Sequence, residues 1–374
     1  MDFIVDAHLD IAYNALCFNR DYRRGALRTR ALEAGSAQQK ENGQTIVGLP
    51  DMIRGRVGLT FGTIFVGPKD SHTSPLTAPL SYTTVPEAHA SGVRQLDWYH
   101  HWQDREEHIR LIKSKSDLKN HLAEWGLQAS PSGALSAAPK PRVPGSIHPV
   151  GVMLLMESAD PVREPRELEW WHERGVRAIG PAWSGTRYCG GTRVPGGLTD
   201  LGRELLEVVA QLNMILDLSH MAEKSSRESL ERFQGKLIMA SHSNPQKITP
   251  TDRHLPDDVI MGIAERGGVI GTVLFNRFLN VKWTKADRKQ DVKLDAVIRC
   301  IDYVCQLTGS SDHAALGSDF DGGLGAESIP AELDTSRDLG KIGAELLRRG
   351  YTRADVDKVL HGNWLRLMQQ ALTG

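Results

Sequence analysis

Five places in this chain put a metal-type or acid–base side chain directly after a short apolar run. Phe3-Ile4-Val5 leads into Asp6-Ala7-His8-Leu9-Asp10, and residues 149–156 lead into Glu157. Residues 214–219 lead into His220, 237–241 into His242, and 314–318 into Asp319. In an extended chain, side chains two apart share a face, so His8 and Asp10 point the same way. Imidazoles with carboxylates suit a borderline divalent metal such as zinc or manganese. Histidines and one aspartate alone would hold one ion. Glu157 allows two, because its two oxygens can bridge ions about 3.5–4 Å apart. Such a pair brings the pKa of a trapped water towards neutrality, supplies a bridging hydroxide and polarises the carbonyl under attack. A separate carboxylate must then carry the proton to the leaving amine. Asp319, in the stretch Gly317-Ser318-Asp319-Phe320-Asp321-Gly322-Gly323, is the candidate, with Asp321 as the alternative or as a loop brace. Taken singly, each residue also fits a capped or core-satisfied polar side chain; their shared position at strand ends favours the metal reading.

The elements that must position them follow from periodicity. Apolar, β-branched runs predict strands at the five places above and at 57–66, 176–180 and 269–275. Helical patterns are expected at 85–113, 115–125, 164–174, 199–212, 222–233, 256–266, 294–307, 336–349 and 353–371, with Thr199 as an N-cap. Eight strands mostly separated by helices predict an α/β fold, a (β/α)8 TIM-type barrel, whose active site lies at the C-terminal strand ends. Insertions are expected in the loops after strands one and two. Residues 19–45 read as irregular or short-helical, 184–198 as a glycine-rich loop, and 128–148 as a mobile Pro/Ser/Ala-rich loop. The reading is one metal-dependent hydrolase domain over 1–374, with 67–148 as an insertion.

Composition narrows the class. With 40% hydrophobic and 24% charged residues, the chain can bury a sizeable core. A formal net charge of −1 gives no electrostatic footprint for nucleic acid or an anionic membrane. Four cysteines without CxxC spacing read as reduced thiols, Cys300 and Cys305 on one helix, and the expected location is cytoplasmic. The N-terminus is acidic, and His8 comes too early for a removable leader. No apolar run is long enough for a membrane span.

The ordered motifs resemble the membrane (renal) dipeptidase family, a zinc peptidase branch (M19) of the amidohydrolase superfamily. Asp6–Asp10, Glu157, Asp217-Leu218-Ser219-His220, Ala240-Ser241-His242-Ser243, the stretch from Arg253 to Asp258 and the stretch from Gly317 to Gly322 carry the resemblance. So do Gly196–Gly202 and Gly362–Leu367. It spans most of the chain and is strongest from 196 to 370. The resemblance implies two zinc ions, other divalent metals being an alternative: His8, Asp10 and Glu157 on one, Glu157, His220 and His242 on the other. It implies Asp319 as general acid/base and hydrolysis of a dipeptide amide bond. It implies Arg253 as the cation for the substrate's terminal carboxylate, which suits its planar fork; a surface ion pair with Asp257 or Asp258 is the alternative. Members are often homodimers.

Three positions depart from the family pattern. Leu9 stands where Asn is usual, Ser158 where Gly follows the bridging Glu, and Trp183 where many members carry a substrate-contacting His. Trp has one donor and cannot ionise, so Trp183 is expected to shape the pocket, with Tyr188 or Arg187 replacing the lost donor. This keeps open a related amidohydrolase acting on N-acyl amino acids, another small amide or a lactone. A barrel that holds metals without turnover is the third reading.

Overall fold

The computed structural model of the chain describes residues 3–70, 73–138 and 148–373. Eight parallel strands form a nearly closed barrel in sequence order: β1 (Ile4–Leu9), β2 (Val57–Phe65), β3 (Val150–Glu157), β4 (Val176–Gly180), β5 (Ile215–Asp217), β6 (Ile238–Ala240), β7 (Val269–Thr272) and β8 (Ala314–Leu316). Each strand pairs in parallel with the next. The seam between β8 and β1 is closed by the Asp6 side chain and one backbone bridge. The Asp6 carboxylate accepts from the Ser318 amide at 2.7 Å and its hydroxyl at 2.5 Å, and Leu9 bridges to Phe320.

One buried cluster draws on every strand: Val5 and Ala7, Leu59 and Phe61, Met153 and Leu155, then Ala178, Ile215, Met239, Val269 and Ala315. Within a strand these residues lie two apart, so they share a face, and a cluster fed by all eight strands fills the barrel. Trp364, Leu365 and Met368 of the last helix (Asn363–Ala371) and Trp125 join it. The larger cluster packs the helices against the barrel's outer face, where Cys300 and Cys305 are buried on the helix Leu294–Thr308. All four cysteines are free and buried.

Several boundaries differ from expectation. The helix from Val85 ends at Arg105, and Ile109–Leu111 is a strand pairing with the start of β3, because Ile109 and Leu111 alternate with Arg110 and bury on one side. Residues 184–198 contain a two-stranded hairpin, Cys189–Gly191 with Val194–Leu198. The glycines there permit close crossing: a Cβ on Gly190 would lie 2.5 Å from the Gly196 nitrogen. Within 128–148, Leu127–Ala129 and Leu135–Ala137 also form a hairpin, held to the last helix by Gln369, which donates to the Ser130 carbonyl at 2.9 Å. The expected mobility of that stretch otherwise falls on 139–147, outside the described residues. Segment 19–45 forms the short helices Ala26–Glu33 and Ala37–Asn42. Among the described residues, no helix is long and apolar enough to cross a membrane.

Candidate metal centre

The C-terminal ends of the strands bring His8, Asp10, Glu157, His220, His242 and Asp319 to one buried place. Glu157, last residue of β3, lies between the imidazoles. Its Oε2 is 3.3 Å from His8 Nε2; its Oε1 is 3.1 Å from His220 Nε2 and 3.5 Å from His242 Nε2. His8 Nε2 also lies 3.8 Å from Asp10 Oδ1 and 3.9 Å from Asp319 Oδ1. His220 and Asp319 follow their strands in the left-handed backbone region, at φ +66° and +60°, as does Ser158 after Glu157 at +73°. Such non-glycine conformations cost roughly 1–3 kcal/mol each and persist where the surroundings over-determine them. The turn after Asp319 is correspondingly tight: a Cβ on Gly322 would sit 1.9 Å from Asp319 Oδ1.

Charge is unevenly shared. Burial pulls the His8 imidazole down, but Glu157, Asp10 and Asp319 outweigh it and lift it to about 10. Burial pushes His220 down to about 4, helped by the Arg253 charge, and holds His242 well below its ordinary value. Burial would raise Glu157, yet the His8 charge and the hydrogen-bonding imidazoles keep it well below the usual carboxylate range. Burial lifts Asp10 to about 6 and pushes Asp319 well up.

Two features fit this donor set to metal ions. His8 Nε2 is buried without a hydrogen-bond partner. His220 Nε2 and His242 Nε2 face each other at 3.0 Å; both Nδ1 atoms have hydroxyl partners, on Thr192 and Ser241, and with the ring protons at Nδ1 two lone pairs stand opposed. A cation at the Nε2 side resolves both. Two groups of ligand atoms, His8/Glu157/His242 and His8/Asp10/Asp319, lie close enough to hold an ion.

Arg253 is buried beside the centre. It donates to Ser243 Oγ at 2.9 Å and to the His242 carbonyl at 2.7 Å, and its Nε is buried without a partner. It makes no pair with Asp257 or Asp258, whose partners are Tyr303 and Arg227. Trp183 sits at the mouth, its ring 6.0 Å from that of His220 and 5.2 Å from Phe65. Tyr188 is not brought there. Its ring is fully buried, and its hydroxyl, which needs a partner once buried, donates to the Val162 carbonyl at 2.5 Å. Arg187 likewise donates to Val162 and Arg163 carbonyls. Asp321 turns away, accepting from the Ile46 amide at 2.7 Å and Val47 at 3.3 Å, with Arg20 at 3.4 Å.

Sequence reasoning gave no role to Thr63, which bonds Asp10, to Thr192, which contacts His220, or to Asp217 and Ser241 behind His242. Asp217 and Ser241 lie inside motifs that were singled out. Thr63 and Thr192 had no local signal.

The fold and these side chains define an α/β barrel with a buried histidine–carboxylate centre at its C-terminal mouth. The sequence profile of the membrane dipeptidase family (peptidase family M19) matches residues 145–373, and the chain belongs to that family of metallo dipeptidases. An uncharacterized protein from the pqqA 5′ region of Klebsiella pneumoniae is 36% identical over 55% of this chain and 76% of its own length. An uncharacterized dipeptidase of Schizosaccharomyces pombe is 27% identical over 47% of this chain and 41% of its own. Among solved structures, a Rhodobacter sphaeroides metallopeptidase bound to a phosphinate mimic of L-Ala-D-Ala superposes with a TM-score of 0.74 at 23% identity, covering 99% of both chains. The probable dipeptidase PvdM of Pseudomonas aeruginosa gives 0.74 at 19%, over 99% of this chain and 95% of that one.

Proposed function

We propose that the chain is a two-zinc dipeptidase in which His8, Asp10 and Glu157 hold one ion and Glu157, His220 and His242 the other. The observation that carries this reading is Glu157, which turns one oxygen to His8 and the other to His220 and His242. Two zinc ions, when bound, would acidify a water and polarise the amide carbonyl. The chain's own residues supply the rest. Asp319, buried within 3.9 Å of His8 Nε2, takes the proton of the attacking water and passes it to the leaving amine. Burial pushes its carboxyl up in the metal-free chain, and bound cations would favour the ionised form that accepts the proton. Arg253, fixed by Ser243 and the His242 carbonyl, presents its charge to the substrate's free carboxylate. Trp183 and Phe65 form an aromatic wall beside His220 and help keep bulk water from the centre.

The Rhodobacter relative's dipeptide mimic supports a dipeptide as substrate class. Trp183 favours a second reading, an amidohydrolase for N-acyl amino acids, because an indole beside His220 offers apolar surface where an acyl group would lie. The whole chain acts as one hydrolase domain with 67–148 as its insertion, and the buried free thiols accord with a cytoplasmic setting.

Metal analysis alongside dipeptide and N-acyl amino acid assays tests the proposal. The expected result is close to two zinc equivalents, with dipeptide turnover that disappears on chelation and returns with zinc. Full turnover in metal-free protein would overturn it, and turnover confined to N-acyl amino acids would select the second reading.

A further inference from the structure

An imidazole offers a lone pair at Nε2 only when its proton sits on Nδ1. What each Nδ1 touches therefore decides whether the ring can ligate. His242 Nδ1 lies 2.8 Å from Ser241 Oγ, and His8 Nδ1 lies 3.4 Å from the same oxygen. Ser241 Oγ in turn donates to Asp217 Oδ2 at 2.5 Å. The direction of that bond is forced, because a carboxylate only accepts. Asp217 is held in place through Oδ1, which accepts from the Ser219 amide at 3.0 Å and the Ser241 amide at 2.9 Å.

A hydroxyl has one proton and two lone pairs. With its proton committed to Asp217, Ser241 can only accept from its other neighbours. Those are His242 Nδ1, His8 Nδ1 and the Ser219 hydroxyl at 3.3 Å, with His242 the closest. Two lone pairs cannot serve all three: His242 Nδ1, the nearest, takes one and so carries its proton there, while His8 Nδ1 and the Ser219 hydroxyl compete for the other. Ser241 is fully buried, and its carbonyl packs so closely on Gly271 and Gly317 that a Cβ on either would lie 1.9 or 1.8 Å from the oxygen. His220 is served separately. Thr192 Oγ1 lies 3.1 Å from His220 Nδ1 and donates its own proton to the His220 carbonyl at 3.3 Å.

We propose that Asp217 and Ser241 form a buried relay that sets the Nδ1–H form of His242 and so prepares its Nε2 as a metal ligand, with His8 as a second, longer contact of the same hydroxyl. Its metal part rests on the two-zinc reading above; the proton positions do not. Asp217 and Ser241 are positioning residues, since neither touches the substrate.

The test uses the full chain, stripped with chelator and titrated with zinc. S241A is expected to bind zinc about 10- to 100-fold more weakly at the position that His242 serves, and T192V, through His220, weakens that same position. D217N keeps the shape but inverts the relay. Its amide oxygen can still take the two backbone amides, while its NH2 donates to Ser241 Oγ and turns the hydroxyl proton towards His242. Nitrogen-15 NMR of the metal-free protein reads this directly: His242 is Nδ1–H in wild type and Nε2–H in D217N. A zinc titration of S241A that overlays wild type overturns the proposal, and so does a wild-type His242 already protonated on Nε2. If S241A does not fold, D217N and the wild-type spectrum decide alone. A wild type that binds no zinc sinks the two-zinc reading instead, and the spectra still decide the relay.

Discussion

Buried histidines gather at both ends of the barrel, and the two sets differ in what surrounds them. At the C-terminal mouth, His8 faces Glu157, Asp10 and Asp319, and is lifted to about 10 although it is fully buried. At the opposite end, His121 donates from Nε2 to the Gly58 carbonyl at 2.7 Å and packs edge-on to Phe3 at 6.4 Å, and burial pushes it down to about 4. His361 also lies against Phe3, at 6.3 Å, and His148 stacks on Trp125 at 4.1 Å. His8 and His121, both fully buried, end on opposite sides of neutrality. Burial sets the cost of charge; the neighbouring groups decide whether a cation is wanted. Around His8 a cation is wanted at Nε2, while His220 and His242 in the same mouth are held down by burial and by the neighbouring Arg253 and His8 charges. At the base none is wanted, and the imidazoles act as packing with one polar handle.

The largest way to break this contrast is to remove a carboxylate from the mouth. Asp319→Asn keeps the shape but cannot accept a proton. Turnover is expected to fall on the order of 10²–10⁴ from lost general acid/base catalysis, with zinc content unchanged. Steady-state kinetics beside metal analysis checks both. Near-normal turnover would move the proton-transfer role elsewhere and leave the mouth's acids as charge balance for the ions alone.

The strand-end residues were legible because apolar runs ending in a polar residue carry their position along the chain with them. A barrel then places every strand end on one rim. What crosses between strands was not legible. Thr192 and His220 are 28 residues apart, and nothing in either stretch announces their contact. Tyr188 shows the converse. Its place in the loop after β4 suggested the pocket, yet a buried phenol takes the nearest free carbonyl, and Val162 supplies it. The hairpin at 189–198 was hidden by its glycines, which lower strand propensity while permitting the close backbone crossing between Gly190 and Gly196. Asp321 read two ways, as the alternative acid/base or as a loop brace, and its carboxylate accepts from the Ile46 and Val47 amides.

The base of the barrel predicts a smaller, oppositely placed effect. In the unfolded chain His121 takes a proton near 6.5, but in the fold only near 4. Between those values the unfolded state binds more protons, so stability falls as pH falls through that window. The contribution is complete above about 6.5 and gone below about 4. It amounts to on the order of 3 kcal/mol at most, at about 1.4 kcal/mol per pH unit. Chemical denaturation of metal-free protein from pH 7 to 4 should show that slope, and His121→Gln should reduce it, the rest coming from His220, His242 and His361, which burial also pushes down, while leaving turnover at neutral pH near wild type. An unchanged slope would mean that the base histidines do not set acid stability. A large loss of turnover would erase the functional difference between the two ends.

The smallest effect sharpens what the mouth recognises. Arg253 is the cation beside the centre, and its guanidinium is already held by Ser243 and the His242 carbonyl, so it offers charge without first being ordered. A dipeptide or N-acyl amino acid brings one free carboxylate, and a charge-assisted hydrogen bond to it contributes roughly 1.5–3 kcal/mol. Losing it costs about tenfold to over a hundredfold in kcat/KM, at about 1.4 kcal/mol per decade. Arg253→Met should show that loss on free-acid substrates and little change on the same substrates capped as amides. The discrimination matters because Arg253 also braces the loop carrying His242. Equal losses on free and capped substrates, with zinc weakened, would make it a brace for the metal ligand rather than an anchor for the substrate. A wild type that prefers the capped substrate would remove the carboxylate from recognition altogether and favour the wider amidohydrolase reading over the dipeptidase.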